Sequence, residues 1–191
     1  MNKKYILILT MLLAVFAVVF YVSVDDNSSI NPAKEQWYLN DNPEREVNIG
    51  WPCMWETYSK IDNSRKCMVK VAVIDSGIDS NHPEIKDSIR QINGSCKDKI
   101  GHGTTIAGII CASQYHGTVV GISDSKRTII IPIKVTGQNG KEESLCSVEQ
   151  LIEAIKIAES EGCDICNISL NTDKDDPELE KVISHIRKRI R

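Results

Sequence analysis

Asp75 and His102 are the two residues whose surroundings equip them for acid–base chemistry. Asp75 ends the apolar run in VAVIDSGID, residues 71–79. A carboxylate at the carboxyl end of a buried strand, followed by a glycine that lets the chain turn sharply, stands where open α/β sheets build their sites. His102 lies between Gly101 and Gly103 in GHGTTIAG, residues 101–108, at the start of a helical pattern. The two glycines clear space, so the imidazole can face a cleft and another backbone can approach. A neutral imidazole there takes a proton from a nucleophile, and a buried carboxylate on its other nitrogen fixes the tautomer and stabilises the imidazolium. Each residue alone also has a plain structural reading, the aspartate as a cap or turn former and the histidine as a packing residue. His82 (in NHPEI) and His116 read as such surface or turn residues, and His185 lies off the main apolar stripe of the last helix.

The elements that must hold these residues follow from hydrophobic periodicity. MVKVAVID, residues 68–75, is a short β-branched run and predicts a buried parallel strand; TIIIPIKV, residues 128–135, predicts another, and IRQIN, residues 89–93, a weaker one. Residues 51–66 predict a short helix and turn. HGTTIAGIICAS, residues 102–113, has helical spacing, with Ile106, Ile109 and Ile110 near one face. Residues 147–161 make the clearest helix: Ser147 and Gln150 form an S-x-x-Q capping box, Leu151, Ile152, Ile155 and Ala158 form the stripe, and Gly162 stops it. A strand is predicted from about residue 164 to 170. The last helix takes Asp176 as cap and Pro177 in its first turn, with Leu179, Val182, Ile183, Ile186 and Ile190 along one face. Strands alternating with helices predict an α/β fold: a parallel β-sheet with helices on both faces.

The chain is 41% hydrophobic and 26% charged, which excludes a disordered or low-complexity protein. Its net charge of −3 and the lack of a basic patch beyond the terminal RKRIR argue against a nucleic-acid partner. Lys3 and Lys4 precede an apolar run from Ile6 to Val24, broken by Thr10, Tyr21 and Ser23. As a helix it would span about 28 Å, close to the bilayer core. Residues 1–24 therefore read as a membrane anchor with the lysines inside and the rest of the chain facing outward, or as a cleaved signal segment that leaves a secreted protein. Polar residues 25–50 read as a linker and irregular arm, and 51–191 as the domain. Seven cysteines leave at least one thiol without an intramolecular partner. Cys163 and Cys166 are too few for a structural zinc site, and on a strand their side chains would point to opposite faces, so they read as small buried hydrophobes. Cys53 and Cys67 flank the first helix and are placed to bridge outside the cell.

DSGID followed by HPE, then GHGT-x-x-AG, then VGIS, then a strand ending in NISL, resembles the subtilisin family of serine peptidases from about Gln36 onward. The resemblance implies a subtilisin-like three-layer sandwich and peptide-bond hydrolysis through an acyl-enzyme on a peptide or protein substrate. It implies Asp75 as the aspartate of the Asp-His-Ser triad and His102 as its general base and acid. It implies that Ser169 and Leu170 run alongside bound peptide, with Ser144, Leu145 and Cys146 on the opposite edge of the cleft.

Several positions depart from the family pattern. Thr105 stands where a second histidine is common, and Asn171 where glycine usually follows Ser-Leu. Glu84 and Tyr115 stand where calcium-binding relatives carry oxygen ligands, and the tyrosine speaks against a high-affinity calcium site; no cofactor or metal is expected. No Gly-Thr-Ser-x-Ala nucleophile motif occurs, and Ser76, Ser169 and Ser184 occupy other motif positions. The expectation is the N-terminal portion of a subtilisin-like peptidase, C-terminally truncated and inactive alone. The alternatives are a non-catalytic peptide- or protein-binding remnant, or one half of a two-chain protease whose second chain supplies the missing part.

Overall fold

The computed structural model of the chain describes residues 36–39, 49–61, 67–90, 96–113, 119–136, 146–170 and 176–186, all of one unit spanning Asn31–Arg191. In chain order the elements are α1 (Trp51–Ser59), β1 (Val69–Asp75), α2 (His102–Cys111), β2 (Thr128–Lys134), α3 (Val148–Ser160), β3 (Ile165–Ile168) and α4 (Pro177–Ile186). The three strands form one parallel sheet in the order β2-β1-β3. β1 is central, and its last residues are buried without a break because neighbours cover both of its edges and both of its faces.

Alternation along β1 sorts its side chains between two layers. Ala72 and Ile74 join Ile131 and Ile133 of β2 in a core closed by Leu151, Ile152, Ile155 and Ala158 of α3 and by Leu179 and Ile186 of α4. Val71, Val73 and Asp75 point to the opposite face, where α2 packs on β1. Helices therefore lie on both faces of the parallel sheet, as the periodicity predicts. The buried face of α2 differs from the expectation. It runs through Gly103, Ile106, Ala107 and Cys111, while Ile109 and Ile110 flank it half-buried. At its start this face meets the strand at Gly103, where a Cβ would clash with Gly77 O.

The ends of these elements are capped by named groups. Ser147 and Gln150 form the reciprocal capping box on α3, and Gly162 takes φ 67° at its end. Asp176 Oδ1 accepts from the N–H groups of Glu178 and Leu179 at 2.9 and 3.0 Å to start α4. The carbonyls at the end of α2 meet the VGIS segment: Gly121 N–H donates to Ala112 O, Ile122 N–H to Ile109 O and Ser123 N–H to Ile110 O, at 3.0–3.1 Å. The described part of the arm before α1, residues 36–39, is anchored. Gln36, buried, donates to Val120 O at 2.9 Å and accepts from Val120 N–H at 2.6 Å, and Tyr38 and Leu39 are buried.

Of the 89–93 candidate strand, Ile89 forms a parallel bridge with Ile130 and Arg90 N–H donates to Ile130 O at 2.9 Å, while residues 91–93 lie outside the described residues. Pro132 is accommodated in β2 because its missing N–H faces this same outer edge, where Cys96 Sγ–H donates to Pro132 O at 3.2 Å. β3 corrects a second expectation. It covers only Ile165–Ile168, and Ile165 is 43% exposed, because among the described residues no strand pairs with its outer side. Cys163 lies in the turn before β3 rather than on the strand, so Cys163 and Cys166 pack on one core instead of opposite faces. Burial pushes the Cys163 thiol up to about 11, with the neighbouring Cys166 adding to it. Cys53 and Cys67 are both exposed. No helix among the described residues is long and apolar enough to cross a membrane, and residues 1–24 lie outside them.

Gly121 tests the packing of the VGIS segment on α2. A Cβ there would sit 2.5 Å from Ala112 N and 2.6 Å from Cys111 C, both backbone atoms that cannot step aside. Gly121→Ala is expected to cost about 1–3 kcal/mol of stability in urea unfolding, the usual penalty of overpacking; an unchanged midpoint would refute the close approach.

Candidate active site

The end of β1 and the start of α2 are brought together by missing side chains. A Cβ on Gly103 would fall 2.1 Å from Gly77 O and 3.2 Å from Asp75 Cβ, and one on Gly77 would fall 2.4 Å from Cys96 O. Gly77 also takes φ 102°, a region that side chains disfavour. Any larger residue at 103 would lift the helix off the strand. Gly101 acts differently from the sequence expectation: nothing lies within 4 Å of its would-be Cβ, so it clears no contact. Its φ of 89° instead sets the left-handed turn that starts α2.

This approach puts His102 Nδ1 at 2.8 Å from Asp75 Oδ1 and 2.9 Å from Asp75 Oδ2. The Asp75 side chain is 2% exposed and that of His102 33%. The carboxylate also accepts from the Ser76 N–H at 2.6 Å. A carboxylate facing Nδ1 can only accept, so the ring proton of neutral His102 resides on Nδ1, and Nε2 carries the lone pair. The hydrogen bond to Asp75 raises the His102 pKa above its ordinary value; burial opposes this, and the charges of Asp75 and Asp98 add to it. The pair can take up a proton at Nε2, hold the imidazolium beside a buried anion and return the proton.

Asp98, which periodicity does not single out, sits at the hub of this arrangement. Its Oδ1 accepts from Ser76 Oγ–H, Ile100 N–H and Gly101 N–H at 2.9–3.0 Å, and its Oδ2 from Thr104 N–H and Oγ1–H at 3.0 and 2.6 Å. Burial alone would raise its pKa, but these bonds outweigh that and hold it below the ordinary carboxylate value. The available signal was its place, four residues before His102, where an acid can cap the coming helix. Ser76 is excluded as a nucleophile by its surroundings: it is 1% exposed and its hydroxyl, committed to Asp98, accepts from Gly103 N–H at 3.0 Å. Lys134 turns its ammonium onto Ser76 O and Lys97 O, both at 2.8 Å, tying the end of β2 to the same turn.

The remaining sequence-predicted positions lie at this carboxyl edge of the sheet or outside the described residues. Ile168 pairs with Ile74, so Ser169 follows level with Asp75. Its Oγ accepts from Asn167 Nδ2 at 2.9 Å, and Leu170 and Cys146 are half-buried against the core. Ser144, Leu145, Asn171, Tyr115 and His116 lie outside the described residues. Glu84 is buried, and His82 turns its Nδ1 toward Glu84 N–H at 3.4 Å.

The raised His102 pKa carries a pH signature. The folded state holds the proton more tightly than the unfolded chain, so the pair's contribution is full below about pH 6.5, the unfolded value, and fades as pH rises through the folded pKa. Urea unfolding is expected to show stability falling with pH across that window in the parent chain and less so in His102→Gln. Equal slopes would contradict the pairing.

Comparison with known proteins adds independent support. The Subtilase family model matches residues 67–190, more than half of the chain. The major intracellular serine protease of Bacillus subtilis is 31% identical over 157 residues, covering 77% of this chain and 46% of that protein. The intracellular serine protease of Paenibacillus polymyxa is 31% identical over 162 residues, covering 78% and 45%. The solved structure of the prenylagaramide maturation protease PagA superposes with a TM-score of 0.57 at 25% identity, over 74% of this chain and 48% of that one. The chain thus spans about half the length of the relatives it matches. With the family model, the relatives and the parallel α/β sheet in agreement, this chain belongs to the subtilase family.

Proposed function

We propose that these 191 residues supply the acid–base half of a subtilisin-like serine endopeptidase, with His102 as general base and acid and Asp75 as its orienting anion. The observation that carries this is the buried Asp75 carboxylate held against His102 Nδ1 at 2.8 Å. In the reaction, Nε2 accepts the hydroxyl proton of a serine as its oxygen bonds to the scissile carbonyl carbon. The imidazolium then gives that proton to the leaving amine as the C–N bond breaks, and water cleaves the acyl-enzyme by the same exchange. Ser169 and Leu170, which follow β3, would run alongside a peptide that adds as a strand, and Ser144, Leu145 and Cys146 would supply the opposite edge of the cleft.

In this reading the nucleophile comes from polypeptide outside these residues, continuous with them or separate, and the 191 residues alone hydrolyse nothing. Among the described residues no strand pairs with the outer side of β3, which supports a docking place for it there, since an unpaired strand edge is a template for pairing. Residues 6–24 would tether the domain to a membrane facing outward, or be removed before secretion.

Serine-directed fluorophosphonate labelling tests the division of labour. The purified chain is expected to take no label and release no peptide; labelling of any of its own serines would overturn the assignment. Co-expressed with a polypeptide carrying the Gly-Thr-Ser segment, it is expected to gain activity that drops by about 10⁴-fold or more in His102→Ala. Activity indifferent to that substitution would remove His102 from the reaction.

A further inference from the structure

Resting on the acid–base reading above, we propose that Asp98 is the positioning residue of the Asp75–His102 pair: its carboxylate fixes the backbone on both sides of the histidine and so sets where the imidazole lies against Asp75. The argument is a closed ring of hydrogen bonds. On one side of His102, Gly101 N–H donates to Asp98 Oδ1 at 2.9 Å. On the other side, Gly103 N–H donates to Ser76 Oγ at 3.0 Å, and Ser76 Oγ–H donates to Asp98 Oδ1 at 2.9 Å. Ser76 N–H donates to Asp75 Oδ1 at 2.6 Å, and Asp75 meets His102 Nδ1. The histidine's two neighbours are thus tied to a single side chain, Gly101 directly and Gly103 through the Ser76 hydroxyl, and the same Ser76 gives its backbone N–H to the carboxylate partner.

The remaining contacts of Asp98 serve the same end. Ile100 N–H, Thr104 N–H and Thr104 Oγ1–H all donate to it, so it satisfies amides in the first turn of α2 that the helix itself leaves open. Thr104 Oγ1 in turn accepts from Asp79 N–H at 2.9 Å, joining the turn after β1 to the same point. An anion at the amino end of α2 is also favoured by the helix dipole. Among the described residues, the charged groups that act on the histidine are Asp75 from β1 and Asp98 from the segment before α2. From β2, the ammonium of Lys134 is held on the carbonyls of Ser76 and Lys97. Lys97 and Lys99 are exposed on either side of Asp98.

Asp98 contacts neither ring nitrogen of His102 in this arrangement, so its effect is read through the histidine. The test is an NMR titration of His102 in the full chain, its signal assigned by loss in His102→Gln, compared with Asp98→Asn and Ser76→Ala. Asparagine turns an amide donor against one set of N–H groups and removes the charge. Its His102 midpoint is expected to fall by about half a pH unit, less than the roughly 1–3 units of a carboxylate in direct contact, with a broadened Nδ1–H resonance. Ser76→Ala keeps the charge and cuts only the tie to Gly103, so a smaller fall with the same broadening is expected.

A merely structural Asp98 would lower stability and leave the midpoint in place; an unchanged midpoint in folded Asp98→Asn therefore overturns the proposal. If Asp98→Asn does not fold, Ser76→Ala decides alone, and an unchanged midpoint with a sharp Nδ1–H resonance overturns it. The titration needs neither nucleophile nor substrate, so a chain that never contributes to peptide hydrolysis leaves this inference standing or falling on its own.

Discussion

A carboxylate almost wholly removed from water needs donors for its oxygens, and Asp75 finds them at the tip of a central strand. Ser76 N–H and His102 Nδ1 provide the donors. The second of these comes from another element, so the whole site depends on how closely α2 can approach β1. That distance is set by Gly103 against Gly77 O, where no side chain fits. The small residues on the buried face of α2, the left-handed start at Gly101 and the VGIS segment at its far end all keep the helix at that distance. The fold is thus organised to bring one imidazole to one buried anion.

Much of this was legible in the sequence. β1, β2 and α3 carry unbroken apolar runs or a full capping box, and local chemistry decides such elements before tertiary contacts do. Asp75 and His102 stood out because glycines flank or follow them in motifs that ordinary packing does not require. Asp98 was not legible by the same route. Its partners Gly101 and Thr104 are near in sequence but Ser76 is 22 residues away, and their convergence on one carboxylate depends on the turn geometry around Gly77 and Gly101. The buried face of α2 was misassigned for a related reason: isoleucines mark apolar content, while close helix–strand contact selects glycine and alanine.

β3 shows how a sequence pattern can be right in type and incomplete in extent. Its apolar residues read as a buried strand, yet its outer edge and Ile165 face solvent among the described residues. Burial is a property of the neighbours as much as of the strand. Among the described residues, the hydrogen bonds that build the acid–base pair link Asp75, Ser76, Asp98 and His102 with its flanking glycines.

The most direct measurement of the central claim is the tautomer of neutral His102, read from the imidazole nitrogen shifts of the labelled full chain above its folded pKa. The account requires the proton on Nδ1, donated to Asp75, with Nε2 as the acceptor. A proton found on Nε2 would mean that His102 is neither held by Asp75 nor able to accept a proton on the side where a nucleophile must stand, and the assignment of this site as the acid–base half of a serine peptidase would fail.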